Sequence, residues 1–377
     1  MRLSKGFNIL IAVVMAFILF TGGMNTSYLK DLVVVEGVGI DKSTDGINLI
    51  VQTLNVGINN GAQIPQGNMT INSEQKAKTI PNAVSKMSKS LSKRMFFGQN
   101  KIIAIGKELA EADFASHIDY IMRSSDTRAD VAVCLSAGDA KTIIDSKEND
   151  TTVPCENILY LINSNEKAGL SCYVKTNDLI NMYADKTTDI YMPVLERKKD
   201  EKSVSSKGIA LFNGDRLAYI TNDDETMGFV IMNGKPENVV LEAKSEKFGN
   251  IGVKLSDIKC KKSTAVVDGK IVFSVSVKAD MIIDEIEKAS VTTLKKDDVD
   301  KICRLVEKRI VGVCKKAFLA CVSNSSDSLR VGEYLARDCP KAYELASNNW
   351  DMYFQSVHFS PDAKINIKKI SDNTQLE

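Results

Sequence analysis

The sequence predicts an α+β protein of more than one domain, with mixed or antiparallel sheets that are each covered by helices. Short apolar runs suited to strands alternate with amphipathic stretches suited to helices. The length of 377 residues suggests two or three domains at about 150 residues each. A hydrophobic segment precedes the first strand, and we expect it to be a signal peptide or a membrane anchor.

This N-terminal segment begins with two basic residues, Arg2 and Lys5, and continues as an apolar run from Phe7 to Phe20. The run is shorter than the ~20 residues that span a bilayer comfortably, which favours a secretory signal. We therefore assign residues 1–23 to a signal peptide or a retained membrane anchor, with a buried core helix as the alternative. We expect the remaining chain to be extracytoplasmic and membrane-associated.

The chain is organised around a hairpin that follows this segment. Residues 31–41 form an apolar run typical of a strand buried on both faces, and Ile47–Val56 form its partner. Gly37 and Gly39 thin the first strand, which suits a bend or a close backbone contact. Glu36 interrupts the run and is either a paired buried carboxylate or a bulge residue.

The segment between these strands resembles the start of a calcium loop, because Asp41, Ser43 and Asp45 alternate before Gly46. However, Gln52 stands where such a loop needs a bidentate glutamate, and the flanking segments are strands. We therefore favour a plain turn.

The first half then continues with alternating helices and strands. The segment Gly57–Lys78 is polar and is predicted to be a loop. The following predicted elements are a helix capped by Thr79, strands over Lys101–Ile105 and Val131–Leu135, helices over Lys107–Met122, Asp139–Asp145, Asn157–Ile162 and Thr176–Tyr183, and an extended segment over Met192–Leu195.

A charged segment, Glu196–Lys207, marks the clearest change of composition. We place a boundary there, between an N-terminal domain over residues 24–200 and a C-terminal region over 201–377. The predicted elements of the second half are a hairpin over Gly208–Phe212 and Arg216–Ile220, a helix capped by Asn222 or Asp223, strands over Asn238–Glu242, Ile251–Ile258 and Lys270–Ile283, helices over Lys295–Val322, Arg330–Arg337 and Pro340–Trp350, and a closing strand over Ser356–Ile370.

Composition argues against several function classes. The formal net charge of +1 and the 6% aromatic content argue against nucleic-acid binding.

His117 and His358 are the only histidines, and neither lies in a nucleophile motif. No phosphate loop and no CxxC pair is present, so we expect no enzyme activity, no metal site and no cofactor. Cys303, Cys314 and Cys321 follow one stripe of a helix and are predicted to be small core residues.

Several segments together resemble the C-subunit lipoproteins of bacterial spore germinant receptors, the Ger(x)C family. Their order and spacing carry the resemblance from about residue 22 to residue 370. The matching segments are Gly37–Lys42, Met95–Ile103, Ile118–Arg123, Ala210–Gly214, Gly332–Glu333, Arg337, Pro340–Lys341 and Trp350. The positions that we carry over, as structural or docking residues, are Gly37, Gly39, Asp41, Phe97, Arg123, Gly332, Pro340 and Trp350.

The resemblance implies a non-catalytic receptor subunit at the spore inner membrane. Its partners would be the germinant receptor A and B subunits and the membrane surface, and it would assemble the receptor or transmit its signal. One departure is important: Gly23 stands where the family has its lipid-modified cysteine, so thioether lipidation there is chemically impossible. The alternative function is that of an extracytoplasmic protein that binds a small solute itself.

Overall fold

The computed structural model describes residue 15 and residues 32–54, 70–91, 93–112, 114, 117, 120, 128–146, 153–198, 203–288, 293–294, 296–370 and 375–376. The predicted signal or anchor segment therefore lies outside the described residues, apart from Met15. Among the residues that are described, no helix is both long enough and apolar enough to cross a bilayer. The mixed α+β class is confirmed.

A nine-stranded mixed sheet occupies the first part of the chain. Its strands are β1 (Leu32–Ser43), β2 (Gly46–Leu54), β3 (Thr70–Ala77), β4 (Arg94–Phe96), β5 (Ile102–Ile105), β6 (Ala132–Ser136), β7 (Tyr191–Glu196), β8 (Ser205–Asn213) and β9 (Arg216–Ile220). The order is β3-β2-β1-β5-β6-β7-β8-β9, and β4 pairs with the start of β1. The hairpins β1–β2, β2–β3, β7–β8 and β8–β9 are antiparallel, whereas β1, β5, β6 and β7 run parallel.

The central strands of this sheet are buried on both faces, as the apolar run of β1 predicts. Strand β5 shows this by alternation: Ile103 and Ile105 belong to the main core, whereas Ile102 and Ala104 belong to a second, smaller core. Helices therefore cover both faces of the sheet.

The first-half helices are α1 (Ile80–Ser90), α2 (Lys107–Ala112), α3 (Ala140–Ile144), α4 (Pro154–Lys167) and α5 (Thr176–Ala184). Buried residues of α1 and α2 lie in the main core, and those of α3 and α4 lie in the second core. The predicted cap of α1 is confirmed, because the Thr79 side chain accepts a hydrogen bond from the backbone N–H of Asn82.

The second half contains a four-stranded sheet in the order β10-β11-β12-β14, with helices packed on it. Its strands are β10 (Val239–Ser245), β11 (Gly249–Val267), β12 (Lys270–Ile286) and β14 (His358–Ile370), and the short strands β13 (Thr293–Leu294) and β15 (Gln375–Leu376) pair separately. The first three strands are antiparallel, and the closing strand β14 runs parallel to β12.

The second-half helices are α6 (Asp223–Asn233), α7 (Lys296–Ser323), α8 (Val331–Asp338), α9 (Pro340–Ala346) and α10 (Trp350–Gln355), with a 3₁₀ turn at Ser347–Asn349. Asn222 and Glu225 form a capping box at the start of α6, which selects Asn222 from the two predicted caps. The helix α7 buries Cys314 and Cys321 in the main core, as predicted, whereas Cys303 is only partly buried.

Helices α6 and α7 pack closely at one residue. A Cβ atom on Gly228 of α6 would lie 2.1 Å from the carbonyl oxygen of Val313 on α7. Glycine is therefore needed for this approach. An ion pair holds the same two helices: Asp224 accepts hydrogen bonds from Arg309 at 2.9 and 2.5 Å and from Lys316 at 2.6 Å.

Some predicted element bounds differ from the structure. The predicted polar loop ends too late, because Thr70–Ala77 is strand β3 and pairs with β2 along its whole length. Its polar sequence suits an edge strand, whose side chains are mostly exposed and give no apolar alternation. The predicted boundary near residue 200 remains a prediction, and strand β8 beyond it pairs with β7 before it.

Candidate functional site

One face of strand β1 carries three of the motif positions, because Gly37, Gly39 and Asp41 are spaced two residues apart. A Cβ atom on Gly37 would lie 2.1 Å from Sγ of Cys155 on α4. A Cβ atom on Gly39 would lie 3.0 Å from Cγ1 of Ile144 on α3. The two glycines therefore make room for the helices of the second core, which is the close contact predicted from the sequence.

Asp41 continues this face and caps helix α3 from a distant strand. Its carboxylate accepts hydrogen bonds from the backbone N–H groups of Ala140 at 2.6 Å and Lys141 at 3.0 Å. Burial raises the pKa of Asp41, and the two backbone hydrogen bonds oppose that rise. A side chain at position 106 would meet the carboxylate, because a Cβ atom on Gly106 would lie 2.1 Å from Oδ1 of Asp41.

The turn between β1 and β2 is confirmed by the pairing of Ser43 with Gly46. Gln52, at the position where a calcium loop needs glutamate, is fully buried. Its amide donates to the carbonyl of Ile144 at 2.9 Å and accepts from the backbone N–H of Cys155 at 3.3 Å. The side chain therefore joins α3 to α4. Glu36 lies at a register shift in β1, which matches the bulge interpretation.

A second group of buried polar contacts surrounds Asp327, in the loop between α7 and α8. Its side chain is almost completely buried and accepts three hydrogen bonds. The donors are the backbone N–H groups of Val331 at 2.8 Å and Gly332 at 2.7 Å and the indole Nε1–H of Trp350 at 3.0 Å. Burial raises the pKa of Asp327, while these hydrogen bonds act in the opposite direction.

A second carboxylate connects this loop to the large sheet. Asp189, just before β7, accepts a hydrogen bond from the backbone N–H of Asp327 at 2.7 Å. Its other oxygen accepts from the backbone N–H of Gly214 at 2.8 Å, in the turn between β8 and β9. Burial is the largest effect on Asp189 and raises its pKa. We call Asp189, Asp327, Gly332 and Trp350 the aspartate junction.

Gly332 and Trp350 occupy this junction for steric reasons as well. A Cβ atom on Gly332 would lie 2.5 Å from Cβ of Thr187 and 3.1 Å from the indole of Trp350. Trp350 is 5% exposed and packs beside Phe354, with ring centroids 6.0 Å apart. The predicted core-anchor role of Trp350 is therefore accompanied by a specific hydrogen bond.

The remaining predicted positions do not join either group. Phe97 is half-buried and packs on the main core. Pro340 is exposed at the first position of α9. Arg123 lies outside the described residues. The structural or docking roles of Phe97, Pro340 and Arg123 remain predictions. His358, one of the two histidines, is exposed at the start of β14.

A polar cavity of about 530 Å³ lies between helices α4 and α5 of the first half and helix α6 of the second half. Its walls combine both signs of charge with aromatic rings, and include Glu166, Lys175, Asp178, Tyr191, Phe229 and Arg330. Burial raises the pKa of Glu166. Arg330 forms an ion pair with Glu333, but its Nε–H is buried and has no hydrogen-bond acceptor among the described residues. This cavity has the size of a small-molecule site.

Sequence reasoning missed Asp189 and Asp327. One local signal was available for Asp327, because a Ser- and Asp-rich loop directly before a helix often satisfies the free N–H groups of its first turn. No local signal indicates Asp189, whose partners Gly214 and Asp327 lie 25 and 138 residues away.

The comparisons with known proteins cover nearly the whole chain. Residues 25–197 match the model described as "Spore germination protein N-terminal domain", and residues 207–371 match "Spore germination B3/ GerAC like, C-terminal". The Bacillus subtilis (strain 168) protein YfkR, named as a spore germination protein, is 25% identical over 318 residues, which are 76% of this chain and 81% of YfkR. "Spore germination protein KC" of the same strain is 21% identical over 95% of this chain and 93% of its own length.

A solved structure shares the fold. "Crystal Structure of the GerBC protein" superposes with a TM-score of 0.59 at 17% identity, and the match covers 88% of this chain and 96% of that one. The matches to the two family models are separated by residues 198–206, which lie within the charged segment Glu196–Lys207. With both family domains present in the family's order, the chain belongs to the GerAC-like family of spore germination proteins.

Proposed function

We propose that this chain is the C subunit of a bacterial spore nutrient-germinant receptor, located at the spore inner membrane. It assembles with the receptor's A and B subunits and is needed for germination signalling. The observation that carries this proposal is the presence of both family domains over residues 25–197 and 207–371. The role requires surfaces and rigidity rather than catalysis.

The described sites fit this role. Both groups of buried polar contacts fix elements to one another: Asp41 holds α3 on β1, and the aspartate junction holds the C-terminal helices on the large sheet. Among the described residues, no three His, Cys, Asp or Glu side chains are grouped so that they could hold a metal ion. Buried, hydrogen-bonded carboxylates of this kind give a unique arrangement of the elements around them.

The experiment is co-purification of the tagged full chain from sporulating cells that also produce candidate A and B subunits. We expect both subunits to be retained, and we expect spores without the chain to lose their nutrient response. Strand β10 is an edge of the second sheet and exposes 64% of Val240, so Val240→Lys tests one docking surface. Leu319→Lys is the matched control, because Leu319 is 59% exposed on helix α7 and belongs to no strand. Failure of the unmodified chain to retain either subunit contradicts the proposal.

The second candidate is a solute-binding protein, and the polar cavity is the observation that favours it. Its mixed charges and the unsatisfied Nε–H of Arg330 suit a small polar ligand. A thermal-shift screen with small amino acids, sugars and dicarboxylates tests this function. A ligand that raises the melting temperature of the unmodified chain but not of Arg330→Gln supports it, and no shift with any compound removes it.

A further inference from the structure

An apolar groove of about 260 Å³ opens at the end of the large sheet where β1 begins. Its walls come from the first residues of β1 and β3, the last residues of β2 and α1, and strand β4. They include Leu32, Leu54, Ile71, Leu91 and Met95. Ile71 is 49% exposed, and Phe96, the next residue after Met95, is 38% exposed. The groove is therefore an apolar surface open to its surroundings.

The chain around this groove is strongly basic, although the whole protein is nearly neutral. Between residues 75 and 107 there is no Asp or Glu. Of the eight basic residues in this segment, Lys86, Lys89, Lys93 and Arg94 belong to α1, β4 and their connection, which border the groove, whereas Lys76 pairs with Asn48 toward the other end of β2 and Lys107 follows the far end of β5. Lys93 lines the groove, and Lys86 and Lys89 are exposed on α1. Glu74, the one acidic side chain among the described residues that line the groove, is already paired with Lys141 at 2.9 Å.

The position of this basic groove relative to the N-terminal apolar run restricts what can cover it. The run ends at Phe20, and eleven residues, 21–31, separate it from Leu32. At ~3.3–3.6 Å per residue this connection reaches at most about 40 Å. Strand β4 pairs with the first residues of β1, with Arg94 opposite Leu32. The basic groove therefore lies beside the point where the chain comes from its hydrophobic segment.

We propose that the basic groove docks on an anionic phospholipid surface, with its lysines against the phosphates and its apolar walls against the acyl boundary. Each lysine near an anionic bilayer contributes an attractive free energy, and these contributions add. Exposed apolar side chains insert at the interface. The inference rests on the proposed membrane location and deepens it by naming the face that meets the lipid. A second copy of the chain and a partner helix are the other possible occupants.

The experiment is hydrogen–deuterium exchange on the full chain, reconstituted into vesicles of phosphatidylcholine alone or with about one third phosphatidylglycerol. We expect α1 and β4 to be protected only in the anionic vesicles and to lose this protection in 1 M salt, where screening is short-ranged. Each cation contributes about fivefold to the docking equilibrium, so the triple variant Lys86→Gln, Lys89→Gln, Lys93→Gln should weaken docking about 100-fold.

The matched control is Lys261→Gln, Lys270→Gln, Lys278→Gln, which removes the same charge from exposed positions on the second sheet. This control should retain the protection, and Ile71→Ser should reduce it without changing its salt dependence. The proposal is overturned if α1 and β4 exchange at the same rate in the two vesicle types, whether they are protected in both or in neither. Protection that depends on protein concentration also overturns it, because a second copy of the chain then covers the groove. Retention of the A and B subunits is measured separately, so a failure here is distinguishable from failure of the proposed receptor role.

Discussion

The aspartate junction gives a quantitative prediction through Asp327→Asn. The carboxylate accepts one hydrogen bond on Oδ1, from Val331, and two on Oδ2, from Gly332 and Trp350. An amide can keep two of these donors on its oxygen but turns its NH₂ group toward the third. One buried N–H then loses its acceptor, at about 1–3 kcal/mol, and the other two lose their charge assistance.

We therefore expect Asp327→Asn to lower the free energy of unfolding by about 2–4 kcal/mol at pH 7, after some relief from removing a buried charge. Trp350→Phe removes a single donor and should cost about 1–2 kcal/mol. The assay is urea unfolding followed by circular dichroism, with the fluorescence of Trp350, the one tryptophan of the chain, as a local probe. Asp351→Asn, at an exposed neighbouring position, is the control.

Two results would refute this reasoning. The first is an Asp327→Asn variant whose stability lies within about 0.5 kcal/mol of the Asp351→Asn control, the usual range for surface changes. The second is additivity of Asp327→Asn and Trp350→Phe in the double variant, because residues that share a hydrogen bond should show a coupling energy.

The other predictions concern glycine contacts and pH. Gly332→Ala should lower the free energy of unfolding by about 1–3 kcal/mol, because the added methyl group overpacks against Thr187. Gly312→Ala lies in helix α7 with open space around it, and it should raise the free energy of unfolding by up to about 1 kcal/mol. The urea midpoints of the two variants measure the difference. Gly37→Ala should destabilise the protein by a similar amount. Cys155→Ala should partly rescue it, because the nearest atom to the new methyl group is then Cβ of residue 155 at 3.1 Å. A double-mutant cycle that shows no rescue contradicts this prediction. Burial raises the pKa of both carboxyls of the aspartate junction, so these two groups bind more protons in the folded state than in the unfolded state above about pH 4. Their contribution to the free energy of unfolding should therefore fall as the pH rises above that value. Asp327→Asn should flatten that slope, and an unchanged slope would show that the junction does not titrate in this range.

Much of the fold follows from local sequence patterns. The apolar run of β1, the turn before Gly46 and the caps Thr79 and Asn222 are all local signals, and each is present in the structure. Strand β3 gives no such signal, because pairing with β2 rather than apolar alternation makes it a strand. The far end of β11 is missed for the same reason, since beyond Ile258 its side chains are exposed or partly exposed apart from Thr264 and show no apolar alternation.

The buried polar sites depend on contacts between distant parts of the chain. Asp41 was singled out as a motif residue, but its partners Ala140 and Lys141 lie about 100 residues further on. Asp189 and Asp327 are separated by 138 residues, and no spacing rule brings them together. Only the arrangement of the sheet and of α8 determines those pairs.

The pairing of β7 with β8 has a practical consequence for handling the protein. These strands belong to different family regions, yet their backbones share ladder hydrogen bonds. A protease that cuts the connection between them should leave two fragments that stay together in solution. If either region is produced alone, it exposes an unpaired strand that can recruit a neighbouring molecule, so precipitation of single-region preparations would reflect the missing neighbour and not an intrinsically unfoldable sequence.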